Sequence, residues 1–461
     1  MRAVQQYDLV IIGAGSGNSI VTPDLDDWSI AIVEEWVFGG TCLNRGCIPT
    51  KMFVHAADVV QHVEHASRYG IDAHLDGVRW ADIRDRVFGR IDPIAAGGQR
   101  YRALDCPNVT LHTGHARFVG PRRLVVTGPD GQETTIEGRQ VVVAAGARPM
   151  ILDVPGMADV AVHTSDDIMR LDVVPEHLIV LGGGFIACEL AHVFGSFGAQ
   201  VSIVQRGLRL LQAEDHDVSA AITAEFARRF DLRTGCHVES VAPDGDGVLV
   251  HLTDGTSVAG SHLLVATGRI PNSDLIDAAA GGLDLHPDGR IVTDLAQRTN
   301  VPGVWALGDI SSPHMLKHVA NHETRVVAHN LAHPEDLHYT DHTAVPHAVF
   351  TNPQIAAVGL TEMQARAEGI DVMIATQRYG DIAYGWALED TTSFCKLIAD
   401  RETRKLVGAH IIGPHASSLI GQCIQAMRFG QTVDELARGQ YYIHPALGEL
   451  VENALLNFPP A

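Results

Sequence analysis

Two strand-then-glycine-turn segments far apart in one chain, and a change of texture beyond about Ala344, predict an α/β protein. It should have two doubly wound units of the Rossmann kind followed by a C-terminal α+β domain. The first segment is the run Asp8–Ile12, which reads as a buried parallel strand and leads directly into Gly13-Ala14-Gly15-Ser16-Gly17-Asn18. A second apolar run, Ile30–Val33, ends in Glu34. That is about twenty positions after Gly13, the distance at which a dinucleotide fold sets the carboxylate that holds a ribose hydroxyl. The same grammar returns with His177–Leu181 as strand, Gly182-Gly183-Gly184-Phe185-Ile186-Ala187 as turn and Val201–Val204 as the next strand. Leu124–Ile136, with its Gly128-Pro129-Asp130-Gly131 turn, adds short strands to the first region. His347–Phe350 and Lys396–Ala399 as strands, with Leu419–Phe429 as an amphipathic helix, make up the last domain.

A single glycine turn of this kind is weak evidence for a nucleotide site, but two in strand-before, helix-after context are strong. The first carries a defect. Asn18 stands where a third glycine normally lets helix and strand pack closely, and Pro23 truncates the helix that should follow. The expectation is a short, altered first helix with phosphate binding intact, carried by Gly13, Gly15 and the helix amino terminus.

Composition excludes several classes. The 461 residues carry 34 basic and 55 acidic side chains, a formal charge of -21, and are 46% apolar. A chain of this length can bury several cores. Its field repels phosphate backbones and anionic lipid heads, so neither nucleic acid nor a membrane surface is the expected partner. No apolar run reaches the ~20 residues of a membrane span, and no targeting signal precedes Tyr7, which points to the cytoplasm. Seven cysteines do not read as a disulfide framework in that setting, so a close pair is more readily redox-active than structural.

One such pair exists, in Gly39-Gly40-Thr41-Cys42-Leu43-Asn44-Arg45-Gly46-Cys47-Ile48-Pro49-Thr50-Lys51. In a regular helix a five-residue offset turns by roughly 140°, too far for two sulfurs to meet. Gly46 and Pro49 let the backbone distort before a helix settles in from Pro49, and the cysteines can then bridge. A thiolate there is favoured by the helix amino terminus, by Arg45 and by Lys51. The other cysteines, Cys106, Cys188, Cys236, Cys395 and Cys423, have no such setting.

The segment GGTCLNRGCIPTK resembles the active-site signature of the pyridine nucleotide-disulfide oxidoreductases, the glutathione reductase and lipoamide dehydrogenase group, and the resemblance spans nearly the whole chain. It implies an FAD-binding domain in two parts (1–150 and 273–341), an NADPH-binding domain (151–272) and a dimerisation domain (342–461) whose partner subunit completes the active site. By that resemblance Cys42 attacks the substrate disulfide, Cys47 makes the charge-transfer contact with the flavin, and Lys51 lies beside flavin N5 with Glu189 as its carboxylate partner. A fixed cation there would steady the negative charge that hydride leaves on the ring. In Ile443-His444-Pro445-Ala446-Leu447-Gly448-Glu449, His444 matches the general acid–base and Glu449 the group that fixes its tautomer.

Other positions carried over are cofactor contacts. Gly13, Gly15, Ser16, Gly17, Glu34, Gly40, Thr41 and Ala116 fall on the FAD side with Lys51, joined by Asp309 in Val304-Trp305-Ala306-Leu307-Gly308-Asp309 and by Lys317, where a helix should begin. Gly182, Gly184 and Ile186 fall on the second nucleotide, and Gly146 and Gly268 on the segments linking the two domains. His318 and His322 fall on one helix face, with His314 just before it, but no carboxylate or cysteine completes a ligand set and no metal is expected.

The second unit's next strand runs into Gln205-Arg206, with Arg209 close by, where an NAD-binding unit would end in an acidic residue. Arginine suits a 2′-phosphate, so NADPH is the expected donor, although the family's second arginine falls near Gln212. The stretch Pro23-Asp24-Leu25-Asp26-Asp27 would receive a dianionic disulfide poorly. Segments such as Lys51-Met52-Phe53-Val54, Tyr384-Gly385-Trp386-Ala387 and Gly439-Gln440-Tyr441-Tyr442-Ile443-His444-Pro445 resemble the branch of the family that reduces mycothione, the disulfide of a cysteinyl glucosaminyl-inositol. That implies a small-molecule disulfide substrate and a homodimer. The alternatives are an NAD-dependent dihydrolipoamide dehydrogenase, which shares almost every motif, and, from another class, a flavin-bound dimeric scaffold or complex subunit without disulfide turnover.

Overall fold

The structure, a computed structural model, describes residues 4–460. The chain divides into two units, one running up to Thr50 and through Arg84–Met150 and Gly268–His342, the other through Lys51–Ile83, Ile151–Thr267 and from Thr343 on. Six helices carry the argument: α1 (Gly40–Asn44), α2 (Cys47–Glu64), α3 (Trp80–Leu104), α4 (Phe185–Ser196), α5 (His216–Arg229) and α6 (Lys317–Ala332).

In the first unit the parallel strands lie in the order Val109–Thr113, Ile30–Glu34, Gln5–Ile12, Glu133–Val143, with Val304–Ala306 parallel to the end of the last. Leu9, Val10 and Ile11 are fully buried, the mark of a strand covered on both faces. The near half of Glu133–Val143 instead pairs antiparallel with Arg123–Thr127, which pairs with His115–Gly120, as the Gly128–Gly131 turn foretells. Parallel register brings the strand ends Ile12 and Val33 side by side, and the Gly13 N–H donates to the Val33 carbonyl at 2.8 Å. The glycine turn and Glu34 thereby share one sheet edge.

The second unit holds a parallel sheet in the order Asp231–Thr234, Gln200–Gln205, His177–Leu181, His262–Val265, Val162–His163. It also holds an antiparallel sheet in the order Pro346–Val349, Ile355–Gly359, Leu406–Ile412, Phe394–Asp400, Val372–Arg378. Helices Gly421–Phe429 and Gly448–Leu456 bury Cys423, Ala426, Leu450 and Ala454 in one core with Leu397 and Ile411 of that sheet, which makes this region α+β. The expected helix Leu419–Phe429 is two, Ala416–Leu419 and Gly421–Phe429. Among the described residues no helix is long and apolar enough to cross a membrane.

The two glycine turns meet different fates. After Gly184 a twelve-residue helix, α4, forms, and Ala187 is fully buried in the small-residue position that close packing needs. After Gly15 only the 3-10 turn Ser16–Ile20 forms, followed by a second short turn, Pro23–Leu25. Arg102 of α3 explains how the shortened segment is satisfied, donating to the Asn18 side chain at 2.8 Å and to the Asn18 carbonyl at 3.0 Å in place of helical N–H groups. The altered first helix is thus no α-helix at all, and the helix amino terminus expected to help bind phosphate is absent. What remains are the main-chain N–H groups of the turn.

Lys396, 2% exposed, anchors the second unit, its Nζ lying 2.9 Å from Asp215, 2.7 Å from Asp217 and 2.8 Å from Glu362. Asp215 caps α5, so one cation ties the Phe394–Asp400 strand to two helix starts. Burial raises the Asp215 carboxyl, but the Lys396 hydrogen bond and main-chain donors outweigh it and hold the folded pKa below the ordinary value. Lys396→Met should cost roughly 3 kcal/mol in denaturant unfolding, the low end for a buried pair because Asp217 and Glu362 meet water. A carboxyl depressed on folding stabilises above its unfolded pKa and loses that contribution as pH falls through the folded value. The deficit of the variant should therefore be full at neutral pH and shrink below about pH 4.

Candidate functional site

Helix α1 ends at Asn44, Arg45 and Gly46 form the break, and α2 begins at Cys47. Gly46 is required there, since a Cβ would lie 2.9 Å from the Thr41 carbonyl oxygen. The break lets Cys42 and Cys47 form a disulfide with Cα atoms 4.7 Å apart. The helix starts two residues earlier than the sequence suggested; Pro49 sits inside its first turn, where an amide N–H has no helical partner to lose. Cys47, exposed at the amino end of an 18-residue helix, is the sulfur whose thiolate the helix dipole favours. Buried Asn44, which the sequence did not single out, holds the preceding loop by donating to the carbonyls of Val37, Phe38 and Gly40 at 3.3, 3.1 and 3.0 Å.

The first glycine turn fits a dinucleotide. Gly13 has φ +100°, and a Cβ on it would stand 2.4 Å from the Ala144 carbonyl oxygen. Gly40 has φ +69°, and a Cβ there would stand 2.7 Å from the Gly15 Cα. Two loops meet backbone to backbone, leaving main-chain N–H groups for phosphate. Lys317, at the start of α6, donates from Nζ to the Ser16 hydroxyl at 2.8 Å and brings to this turn the positive charge that the missing helix does not supply. Glu34 is not poised for a ribose alone: its oxygens accept the N–H groups of Ala14 at 2.7 Å and Trp36 at 2.9 Å, which leaves further lone pairs on each.

Asp309 is buried enough that its carboxyl is raised, against the pull of Arg269, 3.9 Å away, and of Lys317. Such a carboxylate suits hydroxyl donors, as a ribityl chain would offer. The neighbouring Glu323 carboxylate, missed by sequence reading, accepts the Gly308 N–H at 2.7 Å. Ala116 is buried in the core, so only its main chain is available to a ligand. Thr41 lies in α1, and Gly17 is buried under the turn. Gly146 and Gly268 flank a two-stranded ribbon, Ala147–Pro149 with Arg269–Pro271. Of these histidines, His322 on α6 accepts the Asp341 N–H at 3.2 Å, and the ring of His314, which precedes the helix, meets His342 edge-on.

In the second unit Lys51 Nζ meets Glu189 at 2.6 Å, with Glu189 only 3% exposed. The other Glu189 oxygen accepts the Phe350 N–H at 2.9 Å, and the Phe350 ring lies 4.8 Å from Nζ. Two turns further along α2, Asp58 accepts from Nε2 of buried His192, three residues after Glu189 on α4, at 2.9 Å. Arg229 faces the opposite ring nitrogen at 3.3 Å. Burial keeps the His192 pKa low, so a neutral ring donates to Asp58 and accepts from Arg229. Trp80, between Phe53 of α2 and Phe194 of α4, completes the contact, with ring centroids 5.2 and 5.5 Å away. These ties fix α2 against α4, and with it the ion pair.

At the second glycine turn α4 starts without a side-chain cap, so its first N–H groups are available to an anion, with Gly184 exposed and Ile186 half-buried beside them. Gly182 lies at the end of the His177–Leu181 strand. Arg206 is exposed at the end of the neighbouring strand with no ion-pair partner among the described residues, whereas Arg209 donates to the Ser219 hydroxyl at 3.3 Å. Near the C-terminus His444 Nδ1 meets Glu449 at 2.7 Å, and Glu449 is held below its ordinary pKa chiefly by that hydrogen bond. The tautomer follows: Nδ1–H donates, and Nε2 faces outward on a side chain 72% exposed.

The pyridine nucleotide-disulphide oxidoreductase model matches residues 7–328, and the dimerisation domain of the same group matches residues 345–455. The chain is 52% identical, over 98% of its own length and 99% of the relative's, to mycothione reductase from Mycobacterium tuberculosis. It is 33% identical to dihydrolipoyl dehydrogenase from Halobacterium salinarum, over 97% and 95% of the two chains. Among solved structures, the HOCl-induced flavoprotein disulfide reductase RclA from Escherichia coli matches with a TM-score of 0.86 at 28% identity, over 98% and 99% of the chains.

Gly13→Ala tests the cradle, because the added methyl must displace the Ala144 carbonyl at a φ that alanine disfavours. The purified variant should be folded by circular dichroism yet bind FAD with a dissociation constant at least about tenfold higher than the wild type, the loss of ~1.4 kcal/mol or more.

Proposed function

The chain belongs to the pyridine nucleotide-disulphide oxidoreductases, and on that premise we propose that it reduces mycothione to two molecules of mycothiol with NADPH as donor and FAD as bound relay. The observation that carries this is the Cys42–Cys47 disulfide, opened toward solvent at the amino end of α2 in a chain so similar to a mycothione reductase. FAD, when bound, passes two electrons from NADPH to that disulfide. The overall change is balanced: NADPH, one proton and one disulfide give NADP⁺ and two thiols.

The protein's own groups then act in sequence. Cys42 thiolate attacks one sulfur of the substrate, forming a mixed disulfide and expelling the first thiolate. In this proposal the partner subunit's His444 takes the proton of the Cys42 thiol on Nε2 and, as imidazolium, gives it to that leaving thiolate, with Glu449 accepting from Nδ1–H throughout. Cys47 thiolate attacks the Cys42 sulfur, which restores the Cys42–Cys47 disulfide and releases the second product as a thiolate that takes up the proton from solution. Lys51, held by Glu189, would stabilise negative charge on the flavin ring. Arg206, which has no ion-pair partner among the described residues, would meet the 2′-phosphate. The exposed Tyr441 and Ile443 beside His444 support a homodimer in which a second chain covers this edge, in the region that matches the family's dimerisation domain. The domain roles follow the same scheme: 1–150 and 273–341 for FAD, 151–272 for NADPH, 342–461 for the dimer. The compartment we propose is the cytoplasm, where thiols are kept reduced.

NADPH oxidation followed with mycothione, against NAD⁺ reduction by dihydrolipoamide as the rival pair, tests the reading; faster turnover of the rival pair would overturn it. Cys47→Ser should still take up flavin but lose mycothione turnover at least a thousandfold, because the mixed disulfide has no resolving thiol. Arg206→Ala should lower kcat/KM for NADPH by about ten- to a hundredfold, the worth of one hydrogen bond to a charged group, and leave NADH nearly unchanged.

A further inference from the structure

The carboxyl end of α6 carries a second group of ionisable side chains that the redox chemistry does not use. His329 and His333 stand four residues apart, one helical turn, with ring centroids 4.8 Å apart. The chain then turns back: the Asp336 N–H donates to the His333 carbonyl at 3.0 Å, and the His338 ring stacks on His329 at 3.4 Å and 10°. Among the described residues, His329, Asp336 and His338 form a group whose donor atoms all lie within 4.8 Å of one another.

The loop is built into place by Asn330, 1% exposed. Its side chain donates to the His338 carbonyl at 2.9 Å and to the Ala296 carbonyl at 3.1 Å, and accepts the His338 N–H at 2.7 Å. A buried amide that clamps both polar groups of one loop residue fixes where that residue's side chain starts. His329 Nε2 is in turn bonded to the Asp336 main-chain carbonyl at 2.8 Å. The backbone positions are therefore set before any ligand arrives, and only exposed side chains, those of His338 and Asp336, have to turn.

We propose that this loop and the last turn of α6 form a binding site for a divalent first-row cation of the zinc type, with His329, His338 and Asp336 as protein ligands and His333 or water completing the set. Two or three imidazoles with one carboxylate suit zinc, copper or nickel and suit calcium or magnesium poorly. Stacked rings point their lone pairs in parallel, so binding requires the His338 ring to rotate until nitrogens approach the ~3.3 Å separation that metal–nitrogen bonds of ~2.0 Å impose in a tetrahedron. The net charge of -21 favours a cation at the surface. Nothing local in the sequence marks this group, whose ligands come from the last turn of α6 and the loop after it, apart from His318 and His322 earlier on the helix and His314 before it. His329 lies twelve residues along α6 from Lys317, about 18 Å at 1.5 Å per residue, so the site ties a helix end to its loop rather than joining the redox chemistry.

Calorimetric titration of Zn²⁺ into tag-free, chelator-stripped holoenzyme tests this, with the Cys42–Cys47 disulfide kept oxidised so that the dithiol cannot compete. The expected result is one Zn²⁺ per chain with a dissociation constant near ~1 µM and a higher Tm in its presence. His338→Ala, an exposed position that leaves the core intact, should weaken that binding at least tenfold and abolish the Tm rise while flavin content and disulfide turnover stay at the wild-type level. Wild-type binding weaker than ~0.1 mM, or unchanged affinity and stoichiometry in His338→Ala and in the His329→Ala, His338→Ala double variant, would overturn the proposal.

Discussion

The break at Arg45–Gly46 is the constraint from which the redox arrangement follows. Had α1 run on into α2, sulfurs five residues apart would point roughly 140° away from each other and no bridge could close. By stopping one helix and starting another at Cys47, the chain brings the two Cα atoms to 4.7 Å and makes one cysteine the first residue of a long helix. That single interruption decides both that a disulfide forms and which of its sulfurs sits where a thiolate is favoured. It also sets the phase of α2, so that Lys51 comes one turn later and Asp58 two turns after that, the side chains that Glu189 and His192 of α4 take up. A buried carboxylate such as Glu189 is tolerable only because a cation and a main-chain N–H both satisfy it.

The duplicated glycine motif shows how two solutions of one electrostatic problem can coexist. At the second turn the helix itself supplies free N–H groups and the positive end of a dipole. At the first, Asn18 and Pro23 reduce the helix to a single tight turn, and the dipole is lost with it. The charge returns from elsewhere in the chain, as Lys317 reaches Ser16 from the start of α6. Arg102 meanwhile reaches the turn from α3 and donates to the Asn18 side chain and carbonyl.

What was legible in the sequence was local. The glycine spacing, the cysteine pair, the His444–Glu449 separation and the texture of the last domain are each contained in a few consecutive residues, and their elements are where those residues put them. The Lys51–Glu189 pair came from resemblance, since nothing local joins residues so far apart. The Asp58–His192–Arg229 chain, Phe350 and Glu323 escaped for the same reason: each acts through a partner brought near only by folding. A polar residue inside an apolar helix, as His192 and Glu189 are in α4, was the one available signal, because such a residue must find a partner or destabilise the fold. The missing first helix was half legible: Asn18 and Pro23 announced a defect, but its extent depended on Arg102, which no local pattern could reveal. Where α2 begins was misjudged by two residues because a proline is equally at home at the start of a helix and within its first turn.

His444 raises the last question of design. Its ring is oriented within one chain, by Glu449, yet it stands largely in water, where a general acid gains little over bulk solvent. Proton donation to a leaving thiolate becomes effective when the donor is held against the sulfur in a site from which water is excluded. The chain itself only orients the ring; placing it against a sulfur and excluding water call for another surface, and the side chains of Tyr441 and Ile443, exposed just before His444 in the chain, are of the kind that such a surface would cover. Orientation by one chain and enclosure by two would make assembly a condition of catalysis, so that an isolated subunit would carry every proposed catalytic group and still lack the environment in which the proposed acid works.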